Sequence, residues 1–83
     1  MIDELGTPAS VLGAATAVEI VRAWIVGEDV SFVTRDIWED PAAVGIFVAD
    51  LLRHMADPAH EGGDAAVERE RRAIDGLRAE LNI

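Results

Sequence analysis

Two apolar runs dominate the first half of the chain. Val18-Glu19-Ile20-Val21-Arg22-Ala23-Trp24-Ile25-Val26 is rich in β-branched and aromatic residues, Gly27-Glu28-Asp29 breaks it, and Val30-Ser31-Phe32-Val33-Thr34-Arg35 resumes it. Such residues suit a pleated, half-buried surface, and a short glycine-containing break between two runs reads as a hairpin loop. With three loop residues, Val26 faces Val30, Trp24 faces Phe32 and Arg22 faces Thr34. On the reverse face Ile25 meets Ser31, Ala23 meets Val33 and Val21 meets Arg35. A competing helix over 14–23 draws on Ala14, Ala15 and Ala17, but the β-branched content favours the hairpin.

The second half changes period. Val44, Phe47, Val48, Leu51, Leu52 and Met55 recur at helical spacing and give residues 41–57 a wide apolar stripe. Asp40 is placed to cap this helix and Pro41 suits its first position. Asp57-Pro58 ends it, and Pro58-Ala59-His60-Glu61-Gly62-Gly63 reads as a loop. Asp64 then caps a second helix over about 65–81, whose seam of Val67, Ile74, Leu77 and Leu81 is narrow and suited to lying along another helix. The leader, 1–17, is punctuated by Gly6, Pro8 and Gly13. Thr7-Pro8 could start a single turn there, but mostly extended chain is expected.

The expected fold class is therefore α+β, in the order ββαα: an irregular leader, 1–17, and a single domain, 18–83. A chain of this size hides only roughly 60–65% of its unfolded surface, so its margin is thin. In the expected register both faces of the ribbon are apolar. Val21, Ala23, Ile25 and Val33 lie on one side and Ile20, Trp24, Val26 and Phe32 on the other. Two strands are marginal alone and their unpaired edges invite another strand. A homodimer would meet both demands, with Val21, Ala23, Ile25, Val33, Trp38, Ile74, Leu77 and Leu81 as candidate interface residues.

Charge narrows the choice of partner. The net charge is −9, and all seven basic residues are arginine, so a phosphate backbone would be repelled and no nucleic-acid partner is expected. Acids are densest at Glu28, Asp29, Asp36, Glu39 and Asp40, which raises a second reading: an acidic, antitoxin-like regulator of a basic protein, or a nucleic-acid mimic. The longest strongly apolar run without a charge, Pro41 to Ala49, is less than half a bilayer span. No membrane partner is expected. The chain starts Met-Ile-Asp-Glu-Leu-Gly, without the positive and apolar regions of a secretory signal, which makes the cytoplasm the expected compartment.

Candidate chemistry is sparse. There is no cysteine, hence neither a disulfide framework nor a zinc-thiolate site. Asp50, His54 and Asp57 fall at i, i+4 and i+7, so one helix face offers two carboxylates and an imidazole that could hold a divalent ion. The simpler reading of the same residues is a solvated face with a histidine near the helix C-terminus, which suits the helix dipole. Serines and threonines lack a neighbouring histidine, Gly62-Gly63 has no following lysine, and the acids around Asp40 have a capping role. No catalytic residue and no cofactor is expected.

The segments Glu19 to Phe32, Glu39-Asp40-Pro41-Ala42-Ala43-Val44-Gly45-Ile46 and Asp50-Leu51-Leu52-Arg53-His54-Met55 resemble a small family of uncharacterised proteobacterial proteins, catalogued as a domain of unknown function. The resemblance spans residues 18–56, with the second and third segments the more specific. It implies a short bacterial protein that stands as one domain, and it transfers no catalytic or binding residue. A non-enzymatic, homodimeric interaction or structural module is the leading expectation. The acidic regulator and a small metal-binding or enzymatic domain built on Asp50, His54 and Asp57 are the alternatives.

Overall fold

A computed structural model describes residues 1–83. In chain order the elements are a one-turn helix α1 (Ala9–Leu12), strands β1 (Val21–Val26) and β2 (Asp29–Thr34), and helices α2 (Ala42–Ala56) and α3 (Gly63–Leu81). The fold is α+β. Its contacts divide it into two units, Met1–Ile37 and Trp38–Ile83. No helix is long and apolar enough to cross a membrane.

The leader holds the single turn that Thr7-Pro8 allowed. Pro8 is extended (φ −62°, ψ 149°), and its carbonyl accepts the N–H groups of Val11 and Leu12 at 3.0 and 3.1 Å. Gly13 closes the turn on Ala9, and the alanines that follow do not continue it. No helix forms over 14–23; β1 begins at Val21 instead.

The hairpin forms, but one residue out of the expected register. Val26 lies opposite Asp29, Ile25 opposite Val30, Trp24 opposite Ser31, Ala23 opposite Phe32, Arg22 opposite Val33 and Val21 opposite Thr34. The expected Trp24–Phe32, Val26–Val30 and Arg22–Thr34 pairs are absent because the loop has two residues, not three. Gly27 is left-handed (φ 64°) and Glu28 is not, the pattern of a type II′ turn, whose twist matches that of the strands.

A one-residue slip moves side chains to the opposite face. Val33 therefore leaves the face of Val21, Ala23 and Ile25, and Val30 and Phe32 join it. That face has Thr34 as its one polar residue. The other carries Arg22, Trp24, Val26, Asp29, Ser31 and Val33, so the ribbon alternates more cleanly than expected and only one face is free of charged groups. On the mixed face the Arg22 guanidinium lies 4.8 Å from the centre of the Trp24 ring and bonds the Glu4 carboxylate at 3.0 Å.

In the second unit Asp40 caps α2: its carboxylate accepts the Ala42 N–H at 3.0 Å, and Pro41 is already helical at φ −56°, ψ −23°. Trp38, half-buried, packs on Phe47 with ring centroids 5.4 Å apart. The helices α2 and α3 form a hairpin whose two buried residues are Ala56 and Ala66. Small side chains let the end of one helix meet the start of the next. Beyond α3, Asn82 adopts the left-handed conformation (φ 59°) and the Ile83 N–H returns to the Arg78 carbonyl at 3.0 Å, as helix C-terminal caps do.

Gly27→Val forces a β-branched residue into the left-handed region and should destabilise the hairpin by about 1–2 kcal/mol. Thermal melting followed at Trp24 measures it; an unchanged midpoint contradicts the turn geometry.

Candidate functional site

The most distinctive surface of the first unit is the apolar hairpin face. Not one residue of Met1–Ile37 is buried, and every residue of β2 is exposed. On this face Ile25 is 80% exposed, Phe32 66% and Val30 55%. Large apolar groups side by side in water are what interaction surfaces are made of. Of the expected interface residues, Val21, Ala23 and Ile25 share this face, whereas Val33 projects from the opposite one. Val30 and Phe32 were missed. The signal that could have found them was the loop: a glycine at the first of two loop residues marks a II′ hairpin.

The second unit has an open cleft of about 430 Å³ between α2, the connecting loop and α3, lined among others by Asp50, Arg53, His54, Asp57, His60 and Glu70. Here lie the three candidate metal ligands, each with its own surroundings. The Asp57 carboxylate accepts the backbone N–H groups of Gly62 and Glu61 at 2.9 and 3.1 Å and lies 3.7 Å from the Arg69 guanidinium. Those bonds fold the loop back on the end of α2, and the left-handed φ of His60, Gly62 and Gly63 makes the reversal possible. Asp50 is 3.8 Å from Arg53, whose Nε donates to Glu70 across the helix pair at 3.2 Å. The His54 ring meets the His60 ring edge-on at 5.5 Å. No three histidine, aspartate or glutamate side chains gather closely enough to hold a metal ion.

The titration of Asp57 is displaced downward. The Gly62 N–H bond, with that of Glu61 and the Arg69 and His60 charges behind it, holds its carboxyl below the ordinary value of 3.8 against a smaller opposing effect of desolvation. Arg69 acts twice, because its Nε also donates to the Ala56 carbonyl at 2.7 Å and so satisfies the last turn of α2. This junction is structural in kind, an Asp–Arg clasp around a helix end.

The remaining candidates are dispersed. Along α3, Leu77 is half-buried, Ile74 is 37% exposed and Leu81 57%. Trp38 is engaged with Phe47. Glu28 and Asp29 sit at the turn end of β2 while Asp36 lies past its other end. At about 3.3 Å per residue the strand from Asp29 to Thr34 alone spans roughly 17 Å, and Asp36 lies beyond it, so the acids of the hairpin unit do not form one patch.

The fold thus defines a small α+β domain made of a short helix, a β-hairpin and a helical hairpin. The chain belongs to the family described as Domain of unknown function (DUF5076), which matches residues 4–82. The resemblance seen over residues 18–56 therefore extends to nearly the whole chain. It is also similar to a solved structure described as "a putative pyruvate dehydrogenase from the photosynthetic bacterium Rhodopseudomonas palustrus CGA009": TM-score 0.73, 28% identity, covering 99% of this chain and 86% of that one. No curated protein matches.

Because the folded Asp57 titrates below its ordinary value, its contribution to stability is complete above that value and is lost as pH falls through the lowered one. An acid titration by circular dichroism should show the helical hairpin loosening below pH 3.8. Asp57→Asn should be less stable than the parent at neutral pH, with the difference between them closing in acid. A constant difference over the whole range would mean that the carboxylate charge has no part in the clasp.

Proposed function

We propose that this domain is a non-enzymatic interaction module that works as a homodimer through its hairpin, with large apolar residues of the hairpin face buried against those of a second copy. The observation behind the reading is the face itself: Val21, Ala23, Ile25, Val30 and Phe32 on one side of a ribbon with no buried residue in its own unit. A unit of 37 residues is below the ~40 at which a chain without disulfides or metals usually holds a core of its own, and a two-stranded hairpin is marginal in water. Association supplies the missing burial. Covering a large apolar side chain contributes about 1.5–3 kcal/mol, so a few such residues on each copy outweigh the repulsion between acidic chains.

An enzymatic reading has less support. Oxidative decarboxylation of pyruvate, the activity in the name given to the similar structure, relies on a cofactor held in a shaped site. The cleft here is open, and Arg53, Asp57 and Glu70 on its lining are already engaged in holding the loop and the two helices. The acidic-regulator reading is weakened by the length of β2 between Asp29 and Asp36.

Light scattering should give twice the chain mass at micromolar concentration. Phe32→Glu places a charge on the apolar hairpin face where the copies meet and should lower the dimer fraction and the melting temperature together. A wild-type protein that is monomeric and stably folded at that concentration refutes the reading.

A further inference from the structure

The backbone of the hairpin says more than its side chains about how a second copy could attach. The Arg35 N–H donates to the Ile20 carbonyl at 2.9 Å. Residues 20 and 35 are thus a hydrogen-bonded pair, and since such pairs alternate along an antiparallel ladder, so are 22 with 33, 24 with 31 and 26 with 29. Ser31 and Val33 spend their backbone groups on β1. Val30, Phe32 and Thr34 turn theirs outward, along an edge where the two-stranded sheet has no further strand.

Proteins protect such edges with lysine, proline, a bulge or a very short strand. Asp29-Val30-Ser31-Phe32-Val33-Thr34 is six residues long, pairs without a bulge, has no proline, and bears one charge at its turn end. The opposite edge, on β1, differs. A groove beside it is lined by Asp3 to Pro8 of the leader together with Val18, Glu19 and Val21 to Trp24, and Glu4 bonds Arg22 there. No β2 residue lines that groove.

We propose that the domain dimerises by antiparallel pairing of β2 with β2 of a second copy, about a two-fold axis at Phe32, to give a four-stranded sheet ordered β1-β2-β2-β1. This deepens the homodimer reading and rests on it. The register follows from the outward groups. Centring on Phe32 sets it opposite its own counterpart and Val30 opposite Thr34, so that all three outward residues of each strand are used and about six interchain hydrogen bonds form. A shift of two residues either way strands part of them. The same register puts Asp29 across from Arg35 of the second copy, the one opposite-charge pair this edge can make. It also keeps Val30, Phe32 and Thr34 of both copies on one face, which joins the two apolar surfaces into one continuous sheet face with the two Phe32 rings adjacent at its centre. Outside the strands Glu28 meets Asp36 of the second copy. With each chain at −9, association tightens as salt screens this repulsion, the reverse of what an acidic chain binding a basic partner would show.

The test is amide hydrogen exchange on the full chain under conditions where light scattering reports a dimer. The N–H groups of Val30, Phe32 and Thr34 should exchange at least about tenfold more slowly than those of Val21, Ala23 and Ile25, which point out from the β1 edge. Thr34→Pro removes an outward donor without touching the β1–β2 ladder and should weaken association by about tenfold or more while the fluorescence of a Trp38→Phe background, in which Trp24 alone emits, stays native-like. Because the chain has no cysteine, Phe32→Cys supplies a third readout: facing residues of a hydrogen-bonded pair lie about 5.5 Å apart at Cα, within disulfide reach, so mild oxidation should link the dimer covalently. A dimer whose three β2 amides exchange as fast as those of β1, or which Thr34→Pro leaves intact, overturns the edge pairing and leaves the homodimer reading standing. A monomer overturns both.

Discussion

A β-hairpin can satisfy half of its backbone internally and can cover neither of its faces. In this chain that limitation is acute, because Val21, Ala23, Ile25, Val30 and Phe32 all emerge on one side of the ribbon and nothing in the hairpin unit is buried. Helices in the second unit bury two alanines, Ala56 near the end of one and Ala66 near the start of the other, which enclose little apolar volume. Large side chains such as Ile46 and Met55 remain exposed on α2. The hairpin unit carries more apolar surface than it buries, which is the ground for the dimer proposed above.

Electrostatics here serves local geometry. Asp40 caps α2, Asp57 holds the loop through two backbone bonds and an arginine, and Arg69 closes the last turn of the same helix. On α3, Arg71 bonds Glu68 three residues before it and Asp75 four residues after, pairs that are worth only a few tenths of a kcal/mol each on an exposed helix. Charges that stabilise turns and caps are not free to titrate as catalysts or to present one contiguous field to a ligand. In the dimer proposed above, the net charge of −9 on each chain would oppose contact between copies, and β2 bears one charge, at its turn end.

The DUF5076 family match spans residues 4–82, and the structural likeness to the Rhodopseudomonas protein covers 99% of this chain. In the α2–α3 cleft Asp57 holds the turn between the helices, and Arg53 and Glu70 link the helices to each other. The hairpin, by contrast, has a surface whose composition has no internal explanation, and that contrast directs attention to assembly.

Local chemistry settled much of the outline from the sequence alone. A change from β-branched alternation to a 3.6-residue apolar period marked the hairpin and α2, and Asp40-Pro41 located the start of that helix to within a residue, because caps and proline act on their immediate neighbours. Asp57 was picked out as a ligand, yet its carboxylate faces backbone N–H groups four and five residues on, a choice made by a loop whose left-handed residues no spacing rule reveals. Which strand face is bare was likewise decided only in three dimensions. The run Gly27-Glu28-Asp29 can be divided into a two- or a three-residue loop, and the conformation of one glycine, through the twist it imposes on the ribbon, sends Phe32 to one side and Val33 to the other.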